Sequence, residues 1–224
     1  MSGDFEVWLY GSRARGNADQ ASDTDLLVVG SEEGVVAEAV EGLDYPRVKV
    51  SFYSWAEIEQ MRVYGSLYLH HIAEEGVPLR VTGEERLGQL LDDLPRFSRA
   101  REDLEGFRAA YSEGMNSLED GGWPDFECEV IATVARHAAI LGAYCVGNPA
   151  FGREQPFWVV GEALGYDSGE IKVLVAGATG WRLHLPGAHE DERATFEWLQ
   201  SVDRFLSDLE GVIDDYARVL PVTA

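Results

Sequence analysis

Gly11-Ser12-Arg13-Ala14-Arg15-Gly16, followed by Ser22-Asp23-Thr24-Asp25-Leu26-Leu27-Val28-Val29, is the stretch whose reading decides the fold. Phe5-Glu6-Val7-Trp8-Leu9-Tyr10 before it reads as a short apolar strand that stops at Gly11. Gly11 allows a sharp backbone turn and a close approach to a ligand. A basic loop bounded by a second glycine, Gly16, follows. Alternation along a strand then puts Asp23 and Asp25 on one face, where both carboxylates reach the same cations. This order suits a nucleoside triphosphate. The Gly11-Ser12 turn supplies backbone N–H groups and a hydroxyl to phosphate oxygens, Arg13 or Arg15 supplies charge-assisted bonds, and the two acids hold Mg2+ ions on the phosphates. The bland alternative is a surface turn with solvated arginines and Asp23 as a cap. It leaves unexplained why two acids point together at the start of an apolar strand.

Outward from this stretch the chain reads in two textures. A helix starts near Ser31, with Val35, Val36, Ala39 and Val40 at helical spacing, and Pro46 to Tyr53 is a third strand. Ser54 caps the next helix, with Glu57 three residues on completing a capping box. A helix over residues 66–75 and a strand over 77–81 follow. From residue 84 onward the sequence is helical. Expected helices cover 84–94, 95–119 with Pro95 in the first turn, 126–146, 156–164 and 169–176. Residues 192–219 read as a long terminal helix or a pair broken at Gly211. The expected division is residues 1–82 and 83–224, giving an α+β domain followed by an all-helical bundle.

The Gly-Ser turn, the second glycine and the Ser-Asp-Thr-Asp-Leu strand start resemble the nucleotidyltransferase superfamily that includes DNA polymerase β. They are most similar to its minimal and kanamycin nucleotidyltransferase-like branches over residues 5–81. The resemblance implies a mixed β-sheet with flanking helices and a helical partner domain like the HEPN bundles. It implies magnesium, up to two ions, on Asp23 and Asp25, a nucleoside triphosphate as substrate, and transfer of its nucleoside monophosphate to a small-molecule hydroxyl or a protein side chain. A homodimer through the helical half is implied on the same ground.

One departure stands out. Active members carry a third carboxylate on a following strand, but Arg47-Val48-Lys49-Val50-Ser51-Phe52-Tyr53 has no acid, and Lys49 or Ser51 stands in its place. Candidates to replace it are Glu57 or Glu59 on the next helix or, as the resemblance to kanamycin nucleotidyltransferase-like enzymes implies, Glu127 or Glu129 in the helical half; without a replacement, the chain reads as a catalytically degenerate nucleotide-binding or antitoxin-like partner-binding module. Glu127 is the candidate catalytic base, although first-turn acids are also favoured by the helix dipole. The remaining pairs read as structural. His70 and Glu74 share a helix face without completing a metal site. Arg136 and His137 are adjacent and so miss the ribonuclease spacing of HEPN proteins, and Arg182 and His189 match it by count only. Trp158 and Trp181 read as core before they read as an acceptor groove.

Composition bounds the partners. The 224 residues carry a net charge of −22, and a surface this acidic repels nucleic acid backbones. DNA or RNA is therefore the least expected acceptor, and a cationic acceptor suits the surface. No run of about 18 apolar residues predicts a membrane span. The start of the chain lacks a basic segment followed by an apolar one, which predicts a cytoplasmic protein. Cys128 and Cys145 read as thiols.

Overall fold

The structure, a computed structural model, describes residues 4–19, 22–182 and 192–219. By compactness the chain divides into two units, Met1–Ser98 and Arg99–Ala224.

The first unit is built on a four-stranded sheet of order β3-β2-β1-β4. Its strands are β1 (Phe5–Tyr10), β2 (Thr24–Gly30), β3 (Val48–Ser54) and β4 (Val77–Val81), and its helices are α1 (Val36–Val40), α2 (Trp55–Val63), α3 (Leu67–Glu75) and α4 (Leu87–Asp92). β1 pairs antiparallel with β2 and with β4. β2 pairs in parallel with β3, which requires the crossover through α1. The sheet is mixed, as expected. The inner strands β1 and β2 are buried on both faces, which is why they read as continuous apolar runs. Phe5, Val7, Leu9, Leu26 and Val28 pack on Val35 and Ala39 on one face. Trp8, Leu27 and Val29 pack on Ile58, Leu69, Ile72, Leu87 and Leu91 on the other.

Glu6 ties α4 to this second face. The side chain is buried in the central strand. Its Oε1 accepts the backbone N–H of Arg86 (2.6 Å) and of Leu87 (3.0 Å), and its Oε2 accepts the indole N–H of Trp8 (2.9 Å). The carboxylate thus caps the start of α4 from a strand about 80 residues earlier, a long-range use of the ordinary attraction between anions and helix N-termini. Sequence reading put α4 with the helical half. Its leucines and the Glu6 cap hold it on the sheet.

The expected long helix from Pro95 begins at Ala100 instead, as α5 (Ala100–Glu119). The segment before it bonds to earlier elements rather than to itself. The Pro95 carbonyl meets His70 Nε2 at 3.1 Å, and the Ser98 N–H donates to the Tyr64 carbonyl at 3.0 Å. Gly65 has φ +65°, and a Cβ there would lie 2.2 Å from the Pro95 carbonyl oxygen, so only glycine lets the two segments meet.

The second unit adds α6 (Pro124–Cys145), α7 (Gln155–Leu164), α8 (Ser168–Arg182) and α9 (Glu192–Arg218). α6 packs against α5, α7, α8 and α9. By length and composition alone it could cross a membrane, but most of that apolar stretch is buried inside the bundle. α9 runs unbroken through Gly211. Eight buried side chains from Trp198 to Tyr216 outweigh the ~1 kcal/mol that a mid-helix glycine costs.

Replacing Glu6 with leucine leaves three donors without their acceptor, two of them in buried bonds. We expect it to cost about 3 kcal/mol of stability, at the upper end for an orphaned buried group, read as a lowered urea midpoint with α4 exchanging its amide protons first.

Candidate nucleotide site

The turn after β1 is a single helical turn closed by glycine. Arg15 N–H donates to the Gly11 carbonyl (3.1 Å), Gly16 N–H to that of Arg13 (3.1 Å) and Asn17 N–H to that of Ser12 (3.0 Å). The last two bonds, with Gly16 at φ +73°, form a Schellman closure. At the other end, Gly11 has φ +75°, and a Cβ on it would lie 2.8 Å from Asp25 Oδ2. Two independent demands therefore fix glycine at residue 11, namely the left-handed backbone and the carboxylate beside it. The turn and the second acid are in contact through the backbone of Gly11.

Strand register brings in the third group. Asp25 lies opposite Tyr10 on β1 and opposite Lys49 on β3. Lys49, rather than Ser51, is thus the residue level with Asp25. Its ammonium sits 2.6 Å from Asp23 Oδ2. The register is held from the strand start, where Thr24 donates through its hydroxyl to the Pro46 carbonyl (2.6 Å) and through its N–H to that of Arg47 (3.0 Å). Arg47 accepts a left-handed backbone, φ +50°, to make that turn, a strain of order 1–2 kcal/mol for a non-glycine residue. Ser51, one step further along the face, has its hydroxyl 3.3 Å from that of Tyr10. The rings of Tyr10, Tyr53 and Tyr68 line the same face, and burial, helped by the neighbouring Tyr10, pushes the Tyr68 hydroxyl far above its ordinary pKa.

The two arginines of the loop make contacts with the protein. Arg13 donates through Nη2 to the Ser22 carbonyl at 2.9 Å and so staples the turn to the segment ahead of Asp23. Arg15 donates through Nη1 to Glu75 Oε2 at 2.5 Å, and His71 Nε2 lies 2.8 Å from the same oxygen. The histidine–glutamate pair that forms is therefore His71 and Glu75, not His70 and Glu74; the spacing permits either, and only the direction of the helix face selects one. Burial raises the Glu75 carboxyl, but the hydrogen bonds and charges of His71 and Arg15 outweigh it and hold the group below the usual carboxylate range.

Three of the other candidate acids have partners of their own. Glu57 closes the capping box on Ser54, accepting its N–H at 2.7 Å, and the cap holds its carboxyl low. Glu59 pairs with Arg86 at 2.9 Å, whose guanidinium stacks over Trp55. Glu127 belongs to the second unit and accepts the Ser117 hydroxyl at 2.6 Å. Glu129 lies two residues further along the same helix and so points to a different face. Arg136 donates to the Phe151 carbonyl (3.0 Å) and His137 stacks on Phe107, both as packing. Trp181 stacks on Trp198 in the core, and burial pushes the Cys128 thiol up to about 11. His189 lies outside the described residues.

The first 68 residues match the family model described as nucleotidyltransferase domain. The chain carries a nucleotidyltransferase domain at its N-terminus. Among solved structures it is similar to spectinomycin adenyltransferase AAD(9) from Enterococcus faecialis, crystallised with ATP and spectinomycin. That likeness has a TM-score of 0.57 at 12% identity and covers 93% of this chain and 92% of that one, so the fold is shared. A nucleotidyltransferase-like protein from Exiguobacterium sibiricum 255-15 aligns at 15% identity over 97% of this chain and 86% of that one, with a TM-score of 0.35. No curated protein matches the chain.

The fold implies magnesium, so the donor set matters. Among the described residues no cluster of three or more His, Cys, Asp or Glu side chains is arranged to hold an ion. The nucleotidyltransferase domain offers Asp23 and Asp25, and an ammonium already lies on Asp23. Two carboxylates, one of them with an ammonium beside it, supply fewer oxygen ligands than a pair of divalent ions seeks.

Two outcomes are expected here. Gly11→Ala forces an L-residue into the left-handed region and a methyl group against Asp25, so it should lower the thermal midpoint by the equivalent of about 1–2 kcal/mol. Glu75 has a folded pKa below its unfolded value, so its contribution is present above the ordinary carboxylate pKa and is lost as pH falls through the lower, folded one. Urea midpoints measured down the acid range should fall less steeply for Glu75→Gln than for the native chain.

Proposed function

We propose that the N-terminal unit binds a nucleoside triphosphate, with Gly11 and Ser12 at the phosphates, Arg13 and Arg15 shaping the loop, and Asp23, Asp25 and Lys49 forming the charged wall. We further propose that the chain acts in the cytoplasm as a nucleotide-binding module and not as an efficient magnesium-dependent transferase. The observation that carries this reading is the Lys49 ammonium 2.6 Å from Asp23, level with Asp25 on a strand that carries no acid. A lysine held on a carboxylate is neither a metal ligand nor a base for an incoming hydroxyl at neutral pH, and loss of general-base help commonly costs about 10²–10⁴-fold in rate.

A second reading has its own support. The family match and the paired acids favour transfer of a nucleoside monophosphate from the triphosphate to an acceptor, with magnesium as cofactor. The solved structure bound to ATP and spectinomycin makes a small-molecule hydroxyl the first acceptor to try and a protein side chain the second. On that reading Glu127 is the base to mutate, and two bound ions, a homodimer and a cationic acceptor remain proposals with it.

Pyrophosphate release separates the two. The native chain, incubated with labelled nucleoside triphosphates, magnesium and a panel of hydroxyl-bearing acceptors, should bind triphosphate and release pyrophosphate at the background rate. Magnesium-stimulated release that Asp23→Ala and Asp25→Ala abolish would establish the transferase instead.

A further inference from the structure

The charges around the Gly11 turn are arranged as though the cation were built in. A triphosphate brought to Asp23 and Asp25 faces two carboxylates, and with a third acid on β3 it would face three. Such a wall accepts the anion only when mobile cations come with it. Here the residue level with Asp25 is a lysine, so the same wall carries two units less negative charge than the three-acid pattern. The lysine is one of only two in the chain. It points to the acid face of the sheet, because Ser51 and Tyr53, its partners in the strand alternation, lie against Tyr10 and Tyr68 on that face. The side chain is about two-thirds exposed even with its tip on Asp23, so the ammonium sits at the surface, accessible to an incoming phosphate while remaining anchored.

We propose that Lys49 is the resident cation of this site, taking the electrostatic place of a divalent ion, so that the chain binds a nucleoside triphosphate free of metal. This rests on the nucleotide-binding reading above. An ammonium is a compact point charge with three donors. Its bond to Asp23 Oδ2 places the charge beside the acids, and its exposed side lets phosphate oxygens meet it from solvent. The donors of the Gly11-Ser12 turn approach from the neighbouring strand end, where a Cβ on Gly11 would lie 2.8 Å from Asp25 Oδ2. The ligand class is the uncomplexed triphosphate anion, with magnesium neither required nor strongly retained.

Calorimetric titration of the full chain with ATP, once in EDTA and once in excess magnesium, tests the assignment. The native chain should bind ATP in EDTA within about three-fold of its affinity in magnesium. Lys49→Ala should weaken binding in EDTA by at least about ten-fold, the scale of one charge-assisted contact, and Lys49→Arg should restore most of it. Lys49→Asp rebuilds the three-acid pattern. It should bind ATP only with magnesium, and should bind Mn2+ in the absence of nucleotide more tightly than the native chain does. Thermal melts check that these exposed substitutions leave the fold intact. Native binding that needs magnesium, or Lys49→Ala binding unchanged in EDTA, overturns the role of Lys49 and leaves the nucleotide site standing. Absence of ATP binding by the native chain and by Lys49→Asp, in both buffers, overturns the nucleotide reading itself and Lys49 with it.

Discussion

The structure of the site depends on the close approach of the Gly11 backbone to the Asp25 carboxylate. A side chain at residue 11 would lie 2.8 Å from Asp25 Oδ2, so the turn after β1 and the start of β2 occupy one small volume. Everything else at the site is measured from that contact. The Schellman closure at Gly16 sets the length of the turn. Arg13 fastens it to Ser22 and thereby to the acids. The antiparallel pairing of β1 with β2 puts Tyr10 across from Asp25, and the parallel pairing of β2 with β3 puts Lys49 on its other side.

The energetics of the unit follow a similar pattern of long-range polar ties across a sheet buried on both faces. Glu6 in the central strand caps α4 and holds the Trp8 indole. Glu75 at the end of α3 gathers Arg15 and His71. Each buried or half-buried carboxylate has its donors, as the cost of an unmet charge requires. Arg13 and Arg15 are held by their bonds to Ser22 and Glu75, which tie the turn to the segment before β2 and to α3.

The charged wall sets this chain apart from the pattern it resembles. A third carboxylate raises the demand for divalent ions; a lysine on the same strand position lowers it. Fold and chemistry are thus carried by different residues: apolar strands and glycines for the first, the occupants of the strand ends for the second.

Local sequence determined much of this protein. The β1 and β2 runs, the Gly-Ser turn, the Asp-Thr-Asp alternation and the Ser54–Glu57 capping box are written in neighbouring residues, and the elements form where those residues place them. The absence of an acid between Arg47 and Tyr53 was equally plain. Tertiary structure alone decided the rest. Lys49 and Ser51 lie on the same face of one strand, and only the register with β2, set by Thr24 on the carbonyls of Pro46 and Arg47, puts Lys49 level with Asp25. His70–Glu74 and His71–Glu75 have equal spacing, and only the packing of α3 selects the second. Glu6 looks like an ordinary strand acid until the N-terminus of α4 folds over it. Sequence periodicity fixes which residues share a face, because it follows from backbone geometry; which faces meet, and at what register, is a property of contacts between residues far apart in the chain.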